Sequence, residues 1–169
     1  MQRAFHLVAM IALSAVLVAG CGGKKAAEKA AERAIEKQSG GKVKADISKG
    51  KVTIKDEKGA TTFAAEGGAE LPDGFPKDVL VYKGAVIVMS SKQQNTFTLM
   101  LHTKDDAKQI AEAYKTSMKS QGWEEKNMIN IEGNVTIQYA KEKEKRQATV
   151  SVSKSDDQAQ ITLIVEKEE

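Results

Sequence analysis

The sequence predicts an α+β fold: a mostly antiparallel sheet with one helix packed on one face. Three patterns carry that prediction. Apolar and polar residues alternate at Val135/Ile137/Tyr139, Ala148/Val150/Val152 and Ala159/Ile161/Leu163/Val165, the period of strands with one buried and one wet face. Ala107, Ile110, Ala111, Tyr114 and Met118 recur at helical spacing. Short polar stretches such as Glu132-Gly133-Asn134 join successive strands.

The elements in order begin with targeting. Arg3 supplies a positive start, and Phe5 to Val18 form an apolar run interrupted only by His6 and Ser14, the length of a signal-peptide core and short for a bilayer span. Leu17-Val18-Ala19-Gly20-Cys21 follows and resembles the lipobox of bacterial lipoproteins. Small residues let the scissile backbone lie extended, and the thiol accepts a diacylglyceryl group. The resemblance implies cleavage between Gly20 and Cys21, lipidation of Cys21, and the lipid bilayer as a partner. Acyl chains on one cysteine suffice for stable anchoring, since each buried methylene contributes about 0.8 kcal/mol. Gly22 stands where an Asp would resemble an inner-membrane retention signal, so an outer-membrane address facing the periplasm is expected if the organism is diderm.

Residues 21–41 then read as a lipidated tether and helical spacer. Lys24 to Gln38 is rich in Ala, Glu, Lys and Arg, with Glu28, Glu32 and Glu36 four residues apart and Ile35 its only large apolar residue. Such a helix serves as a solvated spacer or docks on the domain. Gly40-Gly41 ends it. Residues 42–70 predict a small β-meander: Val43, Ala45 and Ile47, then Val52 and Ile54, then Thr61 to Ala64, with turns at Lys49-Gly50 and Lys58-Gly59 and a joint at Gly67-Gly68. Three short strands are marginal alone. They are expected to pack on, or extend, the following sheet.

Residues 71–169 form the main α+β domain, in the order ββαββββ. Both prolines lie in Leu71 to Asp78, a lead-in loop pegged by Leu71 and Phe75. Val79–Val81 and Ala85–Met89 flank Lys83-Gly84, Ser90 to Asn95 make a polar turn, and Thr96–His102 is the second strand. A helix starts at Thr103, with Asp106 completing a near capping box, and stops at Gly122. Strands follow at Trp123–Ile131, Val135–Ala140, Gln147–Ser153 and Ala159–Val165. The LPDGFPKDV lead-in, the VYKGA turn and AYKTSMKSQGW make residues 71–166 similar to a C-terminal domain of uncharacterised bacterial and archaeal lipoproteins, with Leu80 and Lys83 where prolines are expected. That resemblance implies a fold and an address, without an active site.

Composition narrows the function. The 169 residues suit one domain plus targeting and linker segments, and with aromatics at 5% the core falls to Val, Ile, Leu, Met and Ala. Removing Arg3 from the formal +3 leaves the mature chain near +2, with Lys interspersed among Glu and Asp. That excludes the one-sided basic stripe that nucleic-acid binding needs. Cys21 is the only cysteine, so neither an intramolecular disulfide nor a Cys metal cluster can form.

Candidate chemistry is sparse. His102 is the only histidine of the mature chain and has no visible metal-ligand or catalytic team. The pairs Asp105/Asp106, Glu124/Glu125 and Asp156/Asp157 fit a helix start, a strand face and a turn better than acid–base work. Lys141 to Arg146, of alternating sign, reads as a solvated hairpin. Met89, Met100, Met118 and Met128 read as core filling, and Trp123 as a plug at the helix-to-strand corner. No cofactor, metal or catalytic residue is expected. The sequence points to a membrane-anchored envelope lipoprotein, a non-enzymatic binding or adaptor module with a possible envelope protein partner. The alternative is a small-molecule or lipid carrier, which needs an apolar cavity of roughly 300 Å³ or more between helix and sheet.

Overall fold

A computed structural model describes residues 23–155 and 157–168. Gly20 and Cys21, the expected cleavage and lipidation site, lie outside them. Helix α1 (Lys24–Gln38) precedes β1 (Lys44–Ser48), β2 (Lys51–Lys55) and β3 (Gly59–Ala64). A long loop leads to β4 (Val86–Gln93), β5 (Thr96–Thr103) and helix α2 (Ala107–Ser120). Then come β6 (Glu124–Ile131), β7 (Asn134–Lys141), a 3-10 turn at Glu142–Glu144, β8 (Arg146–Ser155) and β9 (Gln158–Lys167).

The nine strands of the described residues form one antiparallel sheet in the order β1-β2-β3-β4-β5-β9-β8-β7-β6. The fold is α+β with more strands than ββαββββ, because β3 pairs with β4 from Gly59↔Gln93 to Phe63↔Met89 and so carries the meander into the main sheet. Two hairpin stacks meet at the β5–β9 seam, and α2 crosses from the centre to the far edge.

Helix α2 covers β7, β8 and the β5–β9 seam on one sheet face. Ile110, Tyr114 and Met118 meet Leu99, Leu101, Ile137, Val150, Ile161 and Leu163, all with no accessible area. Tyr82, from the loop before β4, stacks on Tyr114 with ring centres 6.4 Å apart. The helix closes as a Schellman motif: Trp123 N–H donates to the Met118 carbonyl at 3.0 Å and Gly122 N–H to Lys119 at 3.1 Å, with Gly122 at φ +79°. Trp123 thereby plugs the corner, only 3% exposed.

Helix α1 lies against β1, and Ile35 is its buried residue. The Glu32 carboxylate accepts the Ile47 amide at 2.7 Å and Glu36 accepts Ala45 at 3.4 Å. Two outward amides of an edge strand are thus satisfied by side chains, which closes that edge to further strands.

Several expected boundaries move. Val79–Val81 is not a strand, because Pro76 and Tyr82 carbonyls take the Val79 and Ala85 amides in local turns; Val79 and Tyr82 instead anchor the loop as buried residues. Leu71 is 45% exposed and pegs nothing, whereas Phe75 meets Phe97 edge-to-face at 5.7 Å. The polar turn shrinks to Gln94-Asn95, since Ser90–Gln93 pair with Thr96–Leu99. Pairing with β9 holds Thr103 in β5, so the helix begins later, capped by Asp106, whose carboxylate accepts the Lys108 amide at 2.8 Å.

Candidate functional site

One row of directly paired residues crosses the sheet on the α2 face: Thr53, Thr62, Ser90, Leu99, Leu163, Val150, Ile137. Its chemistry changes from hydroxyl to aliphatic at the β4–β5 boundary. Helix α2 covers the aliphatic end. The hydroxyl end floors an open cleft of about 730 Å³.

Loop 70–73 forms one wall of that cleft, and Lys51, Lys55, Lys58 and Lys92 stand around its rim with Asp56, Glu70 and Asp73. Lys51, Thr53 and Lys55 share a face by strand alternation, and Thr53 and Thr62 hydroxyls lie 3.0 Å apart on the floor. A side chain at Gly59 could not fit, since a Cβ there would fall 1.8 Å from the Lys92 carbonyl. The acids are partly committed. Asp56 accepts the Lys58 and Gly59 amides at 2.8 and 2.9 Å, and Glu70 pairs with Lys51 at 3.4 Å. Lys92 donates to the Asp73 carbonyl at 3.0 Å and sits 5.4 Å from the Phe97 ring centre. Lys55 and Lys58 have no side-chain partner among the described residues. A hydroxyl floor and a rim with uncommitted ammonium groups can hold an acidic, hydrogen-bonding solute.

The second polar cluster is structural. Arg146 grips Asp78 through two bonds of 2.8 and 3.0 Å, and Lys141 bonds the same carboxylate. Both cations lie over Trp123, at 4.9 and 5.4 Å, and the indole N–H donates to the Asp78 carbonyl at 3.0 Å. Burial pushes the Asp78 carboxyl up, but its bonds to Arg146 and Lys141 prevail and hold it down at about 2. Lys141 and Arg146 are therefore not a solvated hairpin. They clamp the lead-in loop to β7 and β8.

The remaining candidates stay apart. Among the described residues the His102 ring has one hydrogen-bond partner, the Gln160 side chain at 3.4 Å. Glu124 is bound to Lys126 at 2.8 Å, and Asp156 lies outside the described residues. Among the described residues no three His, Asp or Glu side chains converge as metal ligands, and no helix is long and apolar enough to cross a membrane. The Tyr139 hydroxyl is buried without a partner among the described residues, the Tyr114 hydroxyl faces the Tyr82 backbone, and burial pushes both phenols above their ordinary range.

A family described as START domain-like matches residues 84–161, from just before β4 through α2 into β9. No curated protein and no solved structure matches the chain. The match covers the helix-on-sheet core, whereas the cleft lies mostly before it, on β2, β3 and the 70–73 loop.

Proposed function

We propose that this chain is a lipid-anchored, non-enzymatic binding module that holds a small, polar, acidic ligand in the cleft of β2–β4. The cleft carries the reading: it combines volume, hydroxyls and uncommitted lysines. The START domain-like match supports a ligand-binding carrier. An acyl chain between α2 and the sheet is disfavoured, because the side chains there expose nothing, to solvent or to an internal void. The occupant is a carboxylate- or phosphate-bearing molecule of a size suited to roughly 300–1,000 Å³.

The lipobox resemblance supports the anchor, and the fold suggests its geometry. Two residues, Gly22 and Gly23, separate Cys21 from Lys24, a reach of roughly 10 Å. Helix α1 runs antiparallel to β1, with Glu32 level with Ile47 and Glu36 level with Ala45. Its start projects beyond the Lys49-Gly50 turn. The bilayer then lies at that end of the sheet, and the Lys55–Lys58 end of the cleft faces away from it.

The test is an amide-shift titration of the mature chain with inorganic phosphate, against chloride at equal ionic strength. Shifts should gather at Lys55, Lys58, Gly59, Thr62 and Lys92, and Lys55→Gln or Lys92→Gln should each weaken them by roughly threefold. Shifts spread evenly over surface lysines would count against the cleft.

A further inference from the structure

The two edges of the sheet are treated differently. At β1, Glu32 and Glu36 of α1 occupy the outward amides. At β6 no group among the described residues does: all eight residues are exposed, among them Met128 at 37%, Ile129 at 48% and Ile131 at 64%. The Glu132-Gly133 turn has both residues at positive φ, 51° and 83°, a two-residue hairpin turn that makes Ile131↔Asn134 a hydrogen-bonded pair. Alternation then turns the Ile129 backbone toward β7 as well and leaves the N–H and C=O groups of Met128 and Asn130 pointing outward.

We infer that β6 pairs antiparallel with β6 of a second copy across a two-fold axis at Ile129. In that register Met128 faces Asn130 of the second copy, and the two positions exchange four backbone hydrogen bonds. Ile129 meets its own equivalent on the face opposite α2. Beyond the paired stretch, Lys126 at the bulge comes close to Glu132 in the turn of the second copy, and by symmetry the same approach occurs twice. Glu132 has no ion pair among the described residues, so the contact supplies one. The bulge between Glu125 and Asn127 and the two carboxylates on Lys126, at 2.8 and 2.6 Å, stop the pairing from extending toward Glu124, where acids would crowd. Because the same strand is used on both copies, the assembly closes as a dimer.

The register can be tested by cysteine crosslinking in a Cys21→Ala background, which contains no other cysteine. Opposed Cα atoms of a non-hydrogen-bonded pair lie about 4.5 Å apart, within disulfide reach. Ile129→Cys should therefore form a disulfide dimer under mild oxidation. Ile131→Cys alone should not, yet it should crosslink when mixed with Asn127→Cys. Asn130→Pro removes an outward N–H without touching the β6–β7 ladder; its average mass by sedimentation should stay monomeric at concentrations where the parent chain shows dimer. Equal crosslinking at Ile129→Cys and Ile131→Cys, or a parent chain monomeric at millimolar concentration, would overturn the inference.

Discussion

Replacing Asp78 with Ala should cost the fold about 1 to 2 kcal/mol at neutral pH, and the loss should vanish in acid. Asp78 takes two bonds from Arg146 and one from Lys141, tying the loop before β4 to strands more than 60 positions later. Lowering its carboxyl from the ordinary 3.8 to about 2 corresponds to roughly 2.4 kcal/mol at 1.36 kcal/mol per tenfold. The side chain is 23% exposed, so solvent screening reduces that figure. Truncation also leaves two cations side by side over Trp123 with only Glu144 near them. A carboxyl lowered in the folded state contributes fully above its unfolded value near 4 and loses the contribution as pH falls toward 2. Urea unfolding followed by Trp123 fluorescence is the natural assay, because Trp123 is the only tryptophan and sits in the cluster. The gap between parent and variant should be open at pH 7 and nearly closed at pH 2. Equal stabilities at pH 7, or a gap that persists unchanged into acid, would refute this role for Asp78.

Tyr139→Phe removes a buried hydroxyl without a partner among the described residues and should leave stability unchanged or raise it by about 1 kcal/mol, a shift of a few degrees in Tm. Gly122→Ala forces an L side chain to φ +79° and should destabilise by about 1 to 2 kcal/mol in the same urea titration. Glu32→Ala combined with Glu36→Ala strips the acceptors from two edge amides. Hydrogen exchange at Ala45 and Ile47 should then quicken by roughly tenfold, about 1.4 kcal/mol of local opening, while exchange at Leu163 stays unchanged.

Local patterns were the legible part of the fold. Helix α2 was written in Ile110, Ala111, Tyr114 and Met118 together with Gly122, and β7 to β9 in strict alternation, because each pattern needs only its own segment. Strand β6 lacks alternation because it is an edge with no buried face. The β5–β9 seam joins Leu99 to Leu163, a pairing between segments that no local period encodes. Asp78 looked like a loop residue for the same reason: its partners come from β7 and β8. The cleft was half visible. Lys51, Thr53 and Lys55 alternate as one polar face, which reads as plain solvent exposure until the 70–73 loop rises beside it. His102 meets Gln160 on β9 and Glu124 meets Lys126 on β6, partners that lie on different elements. Between helix and sheet the side chains leave no room for a carried ligand, and the usable volume lies on the same face three strands away.

Native mass spectrometry of the full-length chain, extracted from membranes in mild detergent, tests the central proposal most directly. The proposal predicts a species beginning at an acylated Cys21 and carrying an acidic adduct of roughly a few hundred daltons, as fits the cleft's volume, with the adduct lost when Lys55 and Lys92 are both replaced by Gln. An unprocessed chain retaining residues 1–20, or an adduct that survives the double replacement, would contradict it.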